Sequence, residues 1–466
     1  MAKGHVFGSF KVLIGVTLFI GAAAIVWAHF YAAGSSLPRN SFGCLLAGAS
    51  ALLLLIPRYN GELGVARAFV MLLVLFHCGL TWTLIVGVEP TFFNSTDSIW
   101  YGSPTMGDAL AYVSVFILVL ILSSSVFSLL LRYSSNSGGV GGRAIESSYN
   151  GASGVSLAID RFVLSLLAIS ILLWFSFLFA SGASVFGTDY QEFRLLTESG
   201  PQPYLYLVIG VSMGMLGMCR KRSVYLGLSF FLVFALVAFP IGLRGMVLIP
   251  GAAFLLTFSR FQWRRVSLPL VIVLLIVGLS AGSFVRVLRQ GDSAGADASP
   301  LEGLYEMGYT IRTVVAVLES GEFTYGWFTG IATYVNPVIR LFGVGEFFGV
   351  SGASDDVSAF NTYVAQEFGN IGGSPVAEAL RAGGPGYLIG VAVILGLLLS
   401  VLDWLPISPA SMTVYGGTSF VLLLWVRNSF VPVPAQLLLV ALLSFTCLWV
   451  QKASRGRVAT LTPSAV

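Results

Sequence analysis

An all-α protein threaded repeatedly through a membrane is the fold this sequence predicts, and three observations predict it. Of 466 residues, 56% are hydrophobic and only 10% charged, with a mean hydropathy of +0.88; soluble domains carry about 25% charged residues. Apolar runs of roughly 20 residues, long enough to cross about 30 Å of hydrocarbon, recur along the chain. One long polar stretch, Phe284 to Gly386, stands apart from them.

By the length criterion we count twelve spans, at roughly 10–33, 41–57, 64–88, 109–132, 162–185, 203–219, 223–243, 246–259, 267–284, 386–405, 411–426 and 433–450. The first run outlasts the apolar core of a secretory signal and reads as an uncleaved span. Residues 133–156 are rich in Gly and Ser and read as a flexible linker. The domain reading is nine spans over 1–284, a large extracytoplasmic loop over 285–385, three spans over 386–450 and a tail over 451–466.

Orientation follows from the bias of Lys and Arg toward the cytoplasmic side. With the N-terminus inside and connections alternating, the inner side holds 16 of the 25 basic residues and 4 of the 21 acids. Both termini are then cytoplasmic and the long loop faces out. Within the loop, Leu304, Met307, Ile311, Val314, Val315 and Leu318 recur at helical spacing, predicting one amphipathic helix at the membrane surface or on the bundle. A second helix is expected near 331–342, interrupted at Asn336-Pro337. Ser374-Pro375 reads as a helix start, and Gly383-Gly384-Pro385-Gly386 as a break before the tenth span.

The four cysteines, Cys44, Cys78, Cys219 and Cys447, lie in or beside apolar runs without metal-site spacing, so neither a disulfide framework nor a zinc site is expected. No cofactor and no metal are called for. His5, His29 and His77 all lie outside the long loop. Asp355-Asp356 is weak as a cation site.

Arginines assigned to the outer side run against the charge bias and need a reason. Arg244 follows Pro240 and Gly242, which disfavour continuous helix. The apolar run after it is short, which places Arg244 below the surface, at about 2.5–3.5 kcal/mol on insertion scales. Either it binds a ligand, or it pairs with an acid or snorkels to the surface. Arg286 and Arg289 share a helix face, and with Arg244 they could form a guanidinium cluster that grips a lipid diphosphate. Snorkelling is the plainer account of both. Arg312, Arg340, Arg381 and Arg427 are further candidates or plain surface residues. Among the outer acids Glu378 stands out as a general base, since the Ser-Pro start aims its helix. It could equally be a first-turn acid complementing the helix dipole. Tyr309 and Trp327 could stack on sugar rings or belong to an interfacial aromatic belt.

The order of these features resembles the bacterial O-antigen, or oligosaccharide repeat-unit, polymerases. Gly-Leu-Arg-Gly (242–245) opens a span; then come one apolar span, Arg286 and Arg289, and one long outer loop. The loop closes with Gly-Gly-Ser-Pro-Val-Ala-Glu-Ala-Leu-Arg-Ala-Gly-Gly-Pro-Gly (372–386). The resemblance covers roughly 225–430. It implies a metal-independent glycosyltransferase of multi-span, lipid-sugar (type C-like) architecture in the bacterial inner membrane, with its active site facing the periplasm. The reaction moves a growing glycan from undecaprenyl diphosphate to a second lipid-linked repeat unit. In that reaction Arg244, Arg286 and Arg289 would bind the diphosphate and Glu378 would take the acceptor's proton, with Arg244, Arg289 and Glu378 as the catalytic set. Arg312, Arg340, Arg381, Arg427, Tyr309 and Trp327 would hold diphosphate and sugar. Implied partners are undecaprenyl-diphosphate-linked oligosaccharides, membrane lipids and a chain-length regulator protein, with no nucleic acid.

Three rivals share the layout. An O-antigen ligase implies a histidine in the outer loop, and this loop has none. A peptidoglycan glycan-strand polymerase implies an outer-loop aspartate, a role open to Asp292. A lipid-linked-sugar flippase implies charge in a central cavity and often internal symmetry, and no repeat is visible here.

Overall fold

The computed structural model describes residues 64–85, 104–137, 157–182, 201–262, 273, 276–281, 283–284, 300–321, 327–350, 352, 356, 359–368 and 372–461. The expected spans at 10–33 and 41–57 lie outside them, as do Arg286, Arg289, Asp292, Asp355 and half of 267–284.

Helix is the only extended regular structure among the described residues, because every backbone polar group in hydrocarbon must be satisfied internally. The helices are α1 (Val65–Ile85), α2 (Pro104–Ser137), α3 (Leu157–Ala180), α4 (Gln202–Leu216), α5 (Lys221–Ala238), α6 (Arg244–Phe261), α7 (Pro300–Gly308), α8 (Ile311–Ser320), α9 (Trp327–Leu341), α10 (Phe360–Glu367), α11 (Pro375–Trp404), α12 (Pro409–Trp425) and α13 (Val433–Leu461). Six are long and apolar enough to cross a membrane: α1, α2, α3, α5, α11 and α13. The protein is therefore a multi-span helical membrane protein.

Expected and observed boundaries differ by a few residues along most of the bundle, and α13 runs on to Leu461, well past its expected end at 450. Helix α2 runs through Ser137, into the expected linker, and α6 starts at Arg244 itself. Before α6 the chain turns at Gly242, whose φ of 93° suits glycine. The single amphipathic helix of the loop is two helices, α7 and α8. Their junction is tight: a Cβ on Gly308 would sit 1.9 Å from the Leu80 backbone nitrogen on α1. Helix α9 runs through Pro337, forfeiting one backbone bond rather than stopping. Helix α11 begins at Pro375, within the stretch assigned to the loop.

Small residues allow the spans to approach. Gly214 of α4 and Gly416 of α12 meet backbone to backbone, where a Cβ on Gly214 would fall 2.6 Å from the Gly416 carbonyl. On the α2–α11 contact, Ser400 Oγ donates to Ser124 O (2.8 Å), and Gly396 leaves room for Ser123. Helix α7 lies on α1, while α8 packs on α2 and α11. The loop helices thus cover one end of the bundle, here termed the loop end. The other, the tail end, holds the start of α1 and the end of α11.

Candidate functional site

Helix α11 positions the site. Ser374 caps it as expected: Oγ accepts from the Val376 and Ala377 amides at 3.2 and 3.4 Å, and Pro375 follows without an N–H to satisfy. Eight residues later the helix breaks. Gly384 takes φ 68° and ψ −154°, a region essentially reserved for glycine. The half-helix before the break, 375–382, is buried along its entire length. It carries two ionisable side chains into the bundle, Glu378 (0% exposed) and Arg381 (2%).

Both Glu378 oxygens accept from the Phe430 amide at 3.0 Å, and Oε2 also accepts from the Trp425 indole N–H at 3.1 Å. These donors sit at the end of α12 and in the turn before α13. Arg381 lies close enough to act on the carboxylate electrostatically, and its guanidinium covers the Tyr363 ring of α10, 3.7 Å from the centroid. Tyr334 of α9 is within electrostatic range of Glu378, and its buried hydroxyl has no hydrogen-bond partner among the described residues. Beneath the cap, His77 of α1 joins the cluster. Its Nδ1 bonds Leu73 O at 2.8 Å, which leaves Nε2 to accept from Ser374 Oγ at 2.7 Å. Gly373 N donates to Arg427 O at 3.0 Å, closing the α12–α13 turn onto the start of α11.

The other sequence candidates whose side chains are described each have a partner outside this centre. Arg244 pairs with Glu306 of α7 through Nη1, while its buried Nε has no partner among the described residues. Of the readings left open for it, the acid pair is what the geometry displays. Arg340 pairs with Asp356, which also accepts from Asn336 Nδ2 at 3.1 Å. Arg312 donates to Tyr309 Oη at 3.1 Å, and Arg427 lies 5.9 Å from the Phe76 ring centroid. Trp327 opens α9, and its side chain lies outside the described residues. Among the described candidates only Glu378 and Arg381 share one buried centre, together with Tyr334 and with residues the sequence did not single out: His77, Trp425 and Phe430. His77 had a signal, being an ionisable residue inside an apolar run. The Phe430 amide had none.

No group of three or more His, Cys, Asp or Glu side chains among the described residues is arranged to hold a metal ion. Known protein families, characterised proteins and solved structures yield no match to this chain.

Proposed function

We propose that the chain is a glycosyltransferase that polymerises lipid-linked oligosaccharide repeat units, transferring the glycan from undecaprenyl diphosphate to an acceptor unit at the loop end of the bundle. This takes the loop end to face the periplasm from the inner membrane, both termini being cytoplasmic. One observation carries the reading: a broken half-helix places a carboxylate and a guanidinium, both buried, at the loop end of an apolar bundle. Ionisable groups at such depth are expensive and are retained for function as a rule. Sidedness supports it too. Arg244–Glu306 and Arg340–Asp356 each join residues that the charge bias puts outside, and Arg220–Asp160 joins two that it puts inside.

In this reaction Glu378 takes the proton of the acceptor hydroxyl as its oxygen attacks the donor's anomeric carbon. The bond to the diphosphate breaks, and guanidinium groups meet the charge on the leaving group. Arg312, Arg340 and Arg427 lie on elements around the half-helix, and Arg244 would exchange Glu306 for phosphate. Glu378 is engaged by Phe430 and Trp425, so the turn after α12 must swing away before an acceptor reaches it.

The test is purified protein in vesicles with lipid-linked repeat units. A ladder of longer glycans is expected, lost on Arg244→Ala or Arg289→Ala; full ladders from both variants reject the arginine assignment. The broken helix favours one second reading, a lipid-sugar flippase, since transporters place discontinuous helices at their substrate sites. Sugar lipid crossing the vesicle wall without any growth of glycan would establish it.

A further inference from the structure

Helix α9 is built inside out for a helix in a watery loop. Its exposed residues are apolar: Ile331, Val335 and Val338, continued by Phe342 (69% exposed). They recur at i, i+4, i+7 and i+11, which on a wheel of 100° per residue is a single stripe about 60° wide. The polar side chains face the protein instead. Thr333 is buried, Asn336 and Arg340 are half-buried, and the latter two are tied to Asp356. Past the helix the apolar surface continues over Phe347 (86% exposed) and Phe348 (61%), on a turn where Gly343 and Gly349 take φ of 67°. From Trp327 to Val350 the only charged residues are Arg340 and Glu346.

A stripe of this kind needs an occupant, and its neighbours identify one. Helix α9 packs on α11 and α13, both long enough to span a membrane. A Cβ on Gly330 would fall 1.7 Å from Ala382 O, so the start of α9 is seated directly on the α11 break. Those two spans expose Ile394 (66%) and Phe445 (70%), side chains that only hydrocarbon would cover. The α9 surface therefore continues theirs. With 15 residues, or about 22 Å at 1.5 Å each, α9 is too short to cross about 30 Å of hydrocarbon.

We propose that α9 and the Phe342–Phe348 turn are immersed in the lipid leaflet at the loop end, as a partial insertion that seats the broken-helix centre at membrane depth. Acyl chains cover the stripe, and the Arg340–Asp356–Asn336 cluster keeps its polar groups on the protein side. This inference does not depend on the glycosyltransferase reading.

Single-cysteine variants Val338→Cys and Phe347→Cys, with Gln366→Cys on the exposed face of α10 as the aqueous control, would carry an environment-sensitive fluorophore in phosphatidylglycerol–phosphatidylethanolamine vesicles. Cys44, Cys78, Cys219 and Cys447 are replaced by alanine in this background. Labels at 338 and 347 are expected to emit to the blue of the label at 366. They should also be quenched several-fold more by nitroxide lipid than by aqueous iodide. Iodide quenching equal to that at 366 overturns the proposal. So does protection from both quenchers, which would mean a protein surface, such as a second copy, covers the stripe. Should the cysteine-free background fail to fold, benzoylphenylalanine at position 347 of the parent chain replaces the label. Crosslinks to phospholipid support immersion, and crosslinks to protein alone, or none to lipid, refute it.

Discussion

The two ends of the bundle both bury charge, and they use it differently. At the tail end, each charged group closes a helix terminus. Asp403 accepts from the Val65 and Ala66 amides at 2.8 and 3.3 Å, capping α1. Arg260 donates to the Leu402 and Leu405 carbonyls at 3.2 and 2.5 Å, closing the end of α11, and lies over the Tyr415 ring. Asp160 accepts from Arg220 and Ser223 at the start of α5. Orphan N–H and C=O groups at helix ends need partners, and in hydrocarbon nothing else supplies them. At the loop end that account covers Ser374 and stops there. The donors that reach Glu378 are neutral, an amide and an indole, and a neutral acceptor would serve both. Helix capping thus does not require a carboxylate at 378, and the charged group that faces it is Arg381, whereas Asp403 and Arg260 each close a helix end.

Replacing each carboxylate breaks that comparison most sharply. Glu378→Gln keeps the shape and an acceptor for Phe430, so thermal stability in detergent should change by less than about 1 kcal/mol. Under the proposed function, glycan elongation should fall roughly 10²–10⁴-fold, the usual worth of a general base. A Gln variant that elongates at the parent rate assigns Glu378 to structure alone. Asp403→Ala should do the reverse. It uncaps α1 and removes the carboxylate 4.0 Å from Arg260, which keeps its two carbonyl acceptors, a loss of about 1–3 kcal/mol. Denaturation midpoints would read it, and activity per folded molecule should stay at the parent level.

Six of the expected spans and the α11 start were legible because their signals are local: run length, a Ser-Pro cap, a glycine cluster. The break at Gly383-Gly384 was legible for the same reason. The burial of 375–382 was not, because a stretch with a Glu, an Arg and four flanking glycines reads as solvated loop until other elements close over it. Arg260 and Asp403 registered only as markers of sidedness, though they sit 143 residues apart and meet in one clasp. The α9 stripe was present in the spacing of Ile331, Val335, Val338 and Phe342. Which way it faced was a tertiary fact.

Two serine caps, one at each end, sharpen the contrast at smaller scale. Ser408 caps α12 at the tail end, accepting from the Ser411 amide at 3.2 Å, and it is half-buried. Ser408→Ala should cost about 1 kcal/mol, the ordinary worth of a cap. Ser374→Ala also strands His77 Nε2 in a buried site and should cost about 2–4 kcal/mol in all. Equal losses in a thermal-shift comparison would mean that the His77 bond contributes nothing.

The smallest effects concern glycine and have opposite signs. Gly384 holds the α11 break in a backbone region that alanine avoids, so Gly384→Ala should destabilise by about 1–3 kcal/mol although nothing lies within 4 Å of its added methyl. Gly251, in the interior of α6 directly after Pro250, also has open space around it but lies in helix rather than at a break. There alanine should stabilise by up to about 1 kcal/mol, since it restricts the unfolded chain and favours helix. Sterics are absent at both sites, so only backbone conformation separates them. A Gly384→Ala protein as stable as its parent would show that the half-helix can join the span in one continuous helix. The buried position of Glu378 would then not depend on the break.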